Sequence, residues 1–216
     1  MFLQLPDVFN AEELALIDAA IADGKFIDGA ASAGRNNQQL ERPTQGDDVD
    51  KAVIQALVRH DVIRSACLPT RVMRQIINRY EAGMDYGWHT DNPLMADGCP
   101  VRSDIAVTVF LSDPDSYEGG GLMVNTAGGQ ALFRLARGHA VLYPASAVHC
   151  VEPVTKGTRH AVVTWIQSIV ADPASRELLH DLDRASRIIR EKAPASDEAR
   201  LLMKSHANLM RMWATL

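Results

Sequence analysis

Cysteine is scarce in this chain. Cys67, Cys99 and Cys150 are the only three in 216 residues, far apart and without a Cys-x-x-Cys pair. That pattern argues against a disulfide framework and a cysteine zinc site, and it fits a reducing, cytoplasmic compartment. Long apolar runs are missing too: no stretch approaches the ~18 residues a membrane-spanning helix needs. The first residues, Met-Phe-Leu-Gln-Leu-Pro-Asp, lack a basic segment and carry an early proline, so they do not read as a secretory signal. Positive charge is not in excess, with 22 basic residues against 27 acidic ones and a net charge of −5. Neither a nucleic-acid footprint nor a basic amphipathic membrane segment follows from that balance. Low complexity is absent, and 47% hydrophobic residues suit one domain with a sizeable core.

What is present divides into helices, then strands, then helices. Asn10 with Glu13 three residues on reads as a capping box, Leu14, Ile17 and Ile21 recur at helical spacing, and Gly24 ends the pattern. Residues 36–50 read as a polar loop, and a second amphipathic helix is expected from about Val49 to Cys67. From Arg71 to Gln167 short runs rich in β-branched and aromatic residues predict strands over 72–80, 104–111, 122–126, 131–135, 140–143 and 159–169. Gly119-Gly120-Gly121, Gly128-Gly129, Arg137-Gly138 and Lys156-Gly157 read as turns between them. Many short strands at this spacing predict an antiparallel sandwich or barrel. Asp172-Pro173 then opens a helix with Leu178, Leu182, Ala185 and Ile189 on one face, and a last helix carries Leu202, Leu209 and Trp213. The apolar tail of Met203, Met210, Met212 and Trp213 is expected in the core, with a homodimer contact through the C-terminal helices as the other reading.

His89-Thr90-Asp91 is the first chemical signal. On a strand, residues two apart share a face, so an imidazole and a carboxylate would converge on one point. With seven histidines and 27 acidic residues in the chain, such a pair needs context. A local hydrogen-bonded turn is the plain alternative. His149, in another expected strand, would complete a two-histidine, one-carboxylate triad of the kind that binds non-haem iron(II) and leaves coordination positions open. Arg159 follows ten residues later, after the expected turn at Thr155-Lys156-Gly157-Thr158. Pointing inward it would need an anion, and its fork matches a carboxylate; pointing outward it would be an ordinary surface arginine. Tyr80 could offer its hydroxyl to the same anion or sit in the core.

The segment from Tyr80 to Pro93, with Tyr86, Trp88, His89 and Asp91, followed by His149 and Arg159, resembles the iron(II)/2-oxoglutarate dioxygenases of the prolyl hydroxylase type. The likeness is closer still to the bacterial PKHD-type hydroxylases, which also show the amide cluster at 36–40, the Glu118-Gly119-Gly120-Gly121-Leu122 turn and a helical tail. The resemblance implies a mainly β fold with flanking helices: a double-stranded β-helix (jelly-roll) core, N-terminal helices and a C-terminal helical extension. Residues 1–170 would form the dioxygenase domain and 171–216 the extension packed on it. It further implies Fe(II) on His89, Asp91 and His149, and 2-oxoglutarate on Arg159 with Tyr80. Dioxygen would be the second cosubstrate and L-ascorbate the reductant that keeps iron ferrous. The reaction would hydroxylate a substrate with release of succinate and CO2.

Tyr86, Asn92 and Arg102 are the remaining candidates, facing substrate or supporting the site. The expected partner is a small-molecule or peptide substrate: a peptidyl or amino-acid side chain, or a siderophore-related compound linked to iron uptake. A non-catalytic jelly-roll module holding metal or an iron chelate is the rival, and an inward Arg159 separates the two, because a pure metal binder needs no such cation. The other histidines, His139 and His160 among them, read as structural.

Overall fold

The computed structural model describes residues 1–29, 36–42, 47–97 and 99–215. The capping box is formed as expected: the Asn10 side chain accepts from the Glu13 backbone N–H, and Glu13 answers at the Asn10 N–H. It opens α1 (Ala11–Asp23), whose fully buried residue is Ile17, with Leu14 and Ile21 packed at the margin of the same core. The single helix expected over 49–67 is two, α2 (Asp48–Arg59) and α3 (Asp61–Cys67), because His60 leaves the helical conformation between them. Nor is the polar stretch before α2 all loop. Gln38–Leu40 form β3, paired with β2 (Phe26–Asp28), while residues 43–46 lie outside the described residues.

Among the described residues, nine strands make the main sheet. Its path runs from β1 (Leu3–Leu5) through β13 (Ala140–Pro144), β9 (Ile105–Phe110), β15 (Val154–Ser168) and β5 (Ile76–Glu81) to β3 and β2, with β4 (Pro69–Val72) and β10 (Tyr117–Gly119) also on β15. Four more strands, β12 (Gly129–Phe133), β11 (Leu122–Thr126), β14 (His149–Val151) and β6 (Tyr86–His89), form a second sheet in that order. A separate hairpin pairs β7 (Leu94–Asp97) with β8 (Cys99–Arg102). The fold is the mainly β, helix-flanked arrangement expected.

Three expectations change. The expected strand 72–80 is two strands, β4 and β5, separated by Met73, Arg74 and Gln75. Lys156-Gly157 is not a turn but part of the 15-residue β15, where Tyr117 and Glu118 of β10 pair with it. Gly157 has φ +77, and a Cβ there would sit 2.5 Å from the Ser116 carbonyl oxygen, so glycine lets two strands approach where a turn was read. The chain reverses instead at Glu152-Pro153, between β14 and β15.

β5, β9 and β15 are covered on both faces, by helices on one side and by the second sheet on the other. Ile77, Ile105, Val107, Val109, Val162 and Ile166 pack with α1, α2 and α3 residues in one core. Tyr80, Ala106, Phe110 and Tyr143 belong to a second core between the sheets. The C-terminal helices α4 (Pro173–Lys192) and α5 (Asp197–Trp213) pack on each other, and α4 also packs on α3. Asp172 caps α4 as its sequence predicts, accepting from the Ser175 N–H. The face of α4 is rotated from the expected one: Arg176, Leu179, His180 and Ser186 are buried and Leu178 is exposed. Buried Arg176 donates to the carbonyls of Val170 and Ala171, so hydrogen bonding rather than apolar periodicity sets that face. The methionine tail is not core either, since Met203 and Met212 are half or more exposed.

Candidate metal and cosubstrate site

β6 and β14 are neighbours, and His89 lies directly opposite His149 in their register. Asp91 sits two residues past the end of β6 rather than on it, and its N–H donates to the carbonyl of Ala145, the residue that follows β13. The three side chains converge: their ligand atoms lie within 4.8 Å of one another. Asp91 Oδ1 is 3.8 Å from His89 Nε2 and 3.7 Å from His149 Nε2, and the imidazole centroids are 4.1 Å apart.

Backbone carbonyls orient both rings. His89 Nδ1 is 2.9 Å from the Gly87 oxygen and His149 Nδ1 is 2.9 Å from the Ala147 oxygen. A carbonyl only accepts, so each Nδ1 carries a proton, and Nε2 is the nitrogen that faces Asp91 and could ligate a metal. Two imidazole nitrogens and one carboxylate oxygen, with both rings oriented by the main chain, suit a divalent iron ion with open positions. Tyr143 stands edge-on to His149 at 5.0 Å. Burial, and secondarily the Asp91 charge, pushes its phenol far above the usual range, so it stays neutral.

Arg159 lies across the cavity on β15. It is 1% exposed, its guanidinium carbon lies 5.1 Å from the Tyr80 ring centroid and 5.3 Å from that of Phe110, and Tyr80 is its register partner on β5. Its Nε and Nη2 have no hydrogen-bond partner among the described residues. A desolvated cation with two unused donors is costly by itself and marks a place for an anion. Gly120, at φ +62, lets the chain pass close by: a Cβ there would come within 3.1 Å of the Arg159 Cδ.

His89, Asp91, His149, Tyr143 and Arg159 line one cavity of about 750 Å³, a volume within the range of small-molecule sites. Tyr80, Tyr86 and Asn92 line it as well, with Tyr86 4.5 Å from the His89 ring. Arg102 does not. It grips Asp104 through both Nε and Nη2, at 2.7 and 2.9 Å, and donates to the Ser168 carbonyl, which ties β8 to the end of β15. Sequence reasoning passed over Asn78, Thr108, Val163, Trp165 and Arg74, which also line the cavity. A signal for most of them existed: Asn78 and Tyr80 on β5, and Arg159, Val163 and Trp165 on β15, share a face by period-2 alternation.

Comparison with known proteins agrees with this geometry. The family model of the 2OG-Fe(II) oxygenase superfamily matches residues 76–167, and that of the PKHD-type hydroxylase C-terminal domain matches 174–215. A PKHD-type hydroxylase of Synechococcus sp. (strain JA-2-3B'a(2-13)) is 39% identical over 224 residues, covering 100% of both chains. One from Acaryochloris marina is 41% identical over 221 residues, covering 99% of this chain and all of the other. Among solved structures, a Pseudomonas putida prolyl-4-hydroxylase superposes with a TM-score of 0.59 at 18% identity, over 77% of this chain and 92% of that one. HygX from Streptomyces hygroscopicus, with nickel, 2-oxoglutarate and hygromycin B bound, gives 0.59 at 14%, over 77% and 82%. At those identities the solved structures show the fold alone. The full-length relatives show more: this chain belongs to the PKHD-type hydroxylases of the 2OG-Fe(II) oxygenase superfamily.

Proposed function

We propose that His89, Asp91 and His149 hold Fe(II), that Arg159 receives the distal carboxylate of 2-oxoglutarate beside Tyr80, and that the rest of the cavity takes the substrate. The observation that carries this reading is the buried Arg159 guanidinium with two unused donors facing the same cavity as the triad. When bound, iron and 2-oxoglutarate supply oxidation of a C–H bond by dioxygen, with release of succinate and CO2. The chain's own residues do the rest. The Gly87 and Ala147 carbonyls hold the histidine tautomers, Arg159 fixes one end of the keto acid, and Leu122, Val151 and Tyr143 exclude water from the walls.

In this reading the substrate is an amino-acid side chain, free or in a peptide, or a siderophore-related compound. A prolyl-4-hydroxylase and a protein with hygromycin B bound among the structural neighbours support the breadth of that class. L-Ascorbate as reductant rests on family resemblance. The cytoplasm as the working compartment is supported by three free cysteines. No described helix is long and apolar enough to cross a membrane.

The test is anaerobic titration of the metal-free protein with Fe(II), then 2-oxoglutarate. A visible charge-transfer band that decays when oxygen is admitted, with succinate formed, is the expected result. Iron binding with no band and no succinate would refute the assignment of Arg159.

A further inference from the structure

The amide run Asn36-Asn37-Gln38-Gln39 stands apart from the residues assigned to iron and cosubstrate, and its members have separate tasks. Asn36 Nδ2 donates to the Gly83 carbonyl at 2.7 Å, in the turn between β5 and β6. Gln38 Oε1 accepts from Arg79 Nε at 2.7 Å, on the face of β5 turned away from the cavity. Gln39 lines the cavity and lies opposite Asn78 in the register of β3 and β5. Asn37 reaches Asn78 as well. Its Nδ2 donates to Asn78 Oδ1 at 3.0 Å, and the two residues are only 2% and 6% exposed. Asn37 is itself held, since the Gly29 N–H donates to its carbonyl at 2.9 Å. Asn78 also lines the cavity. With its oxygen engaged by Asn37, its carboxamide offers Nδ2, a donor of two protons, to what the cavity holds.

The sheet places that donor beside Arg159. Tyr80 pairs with Arg159 and Asn78 with Ala161, so Asn78 and Arg159 are diagonal neighbours on one face, about 7–8 Å apart at Cα. Ala161 pairs on its other side with Phe110. The Arg159 guanidinium carbon is 5.1 Å from the Tyr80 ring centroid and 5.3 Å from that of Phe110. It therefore lies between the levels of Tyr80 and Phe110, where Ala161 contributes only a methyl group and Phe110 no donor. Arg159 Nε and Nη2 have no partner among the described residues. A carboxylate held by those two donors still has lone pairs to satisfy, because its two oxygens accept about four hydrogen bonds. Asn78 supplies a further donor and adds no charge to an arginine–carboxylate pair already balanced.

We infer that Asn78 is a further cosubstrate-binding residue, its Nδ2 donating to the distal carboxylate of 2-oxoglutarate that Arg159 receives. Asn37 is then a positioning residue that acts through Asn78. The inference rests on the functional reading above and extends it to the amide run.

The test is isothermal titration of the full-length, zinc-loaded chain with 2-oxoglutarate, with thermal unfolding of each variant recorded without ligand. Asn78→Ala should weaken binding about tenfold or more, the worth of a hydrogen bond to a charged group. Asn78→Asp keeps an oxygen for Asn37 but sets a negative charge against the carboxylate. It should bind roughly 100-fold more weakly than wild type or worse, a comparison that stands even where Asn78→Ala fails to fold. A purely structural Asn78 predicts the reverse order, because Asp preserves the bond to Asn37 and Ala loses it. Asn37→Ala should weaken binding several-fold, and adding it to Asn78→Ala should cost nothing more, since both act through one contact. Gln38→Ala, on the other face, should leave 2-oxoglutarate affinity unchanged. Wild-type affinity in Asn78→Asp, tighter binding by Asn78→Asp than by Asn78→Ala, or additive losses in the double variant would overturn the inference. Failure of wild type itself to bind 2-oxoglutarate would count against the functional reading, whereas wild-type binding with the structural order of variants counts against this inference alone.

Discussion

β5, β9 and β15 carry different chemistry on their two faces. The helix-covered face is aliphatic, with Ile77, Val107, Val109 and Val162 all at 0% exposure. On the cavity face, the same strands present Tyr80, Asn78, Phe110, Thr108, Arg159 and Trp165. A face that only has to close against helices is filled by branched hydrocarbons in staggered rotamers. A face that must receive ligands keeps aromatics for shape and polar groups whose partners arrive from outside. Strand alternation lets one segment do both, so stability and binding should separate by residue parity.

The strongest break of that separation is Arg159→Ala. Removing one partner of a buried charge pair costs about 2–5 kcal/mol, so 2-oxoglutarate affinity should fall on the order of 100-fold or more while iron binding and unfolding temperature hold. Isothermal titration with each ligand checks it, and loss of both together would contradict the division of labour. On the other face, Ile77→Ala should cost about 2–4 kcal/mol in chemical unfolding. The folded fraction of that variant should still bind 2-oxoglutarate normally.

A pH effect sharpens the comparison. His160 lies on the helix side of β15, near Phe26, and burial with the adjacent Arg79 charge pulls its pKa down from 6.5 to about 4. The folded pKa is below the unfolded one, so this contribution is fully present above pH 6.5 and is lost as pH falls toward 4. The loss is at most about 3 kcal/mol. Burial lowers the pKa of His60 and His180 as well, which adds in the same direction. Urea midpoints should fall across that window in wild type, and less in His160→Gln. The smallest effect belongs to α1: Asn10→Ala should cost about 1 kcal/mol in thermal unfolding and leave ligand binding unchanged.

Much of the site was legible because its signals are local or ordered along the chain. His89, Asp91, His149 and Arg159 are a spaced set of ligand types, and their chemistry follows from side-chain identity. Arg102 was misplaced because nothing local tells a cavity cation from one gripping Asp104. Trp165 and Arg74 were missed because an indole or a guanidinium reads as a cavity wall only once the facing sheet closes the cavity around it.

Helix starts were determined by the sequence itself: the cap at Asn10 and the cap with proline at Asp172-Pro173 satisfy orphan N–H groups within one turn. So was the donor set for a metal. Tertiary structure alone decided that Gly157 joins two strands instead of reversing the chain, that α4 buries Arg176 in place of Leu178, and which cavity wall each strand presents. The Gly157 outcome depends on a partner far along the chain, Tyr117, and long-range contacts leave no periodicity in the segment that makes them. Arg176 answers to the nearby carbonyls of Val170 and Ala171, and hydrogen bonds of that kind leave no apolar pattern either.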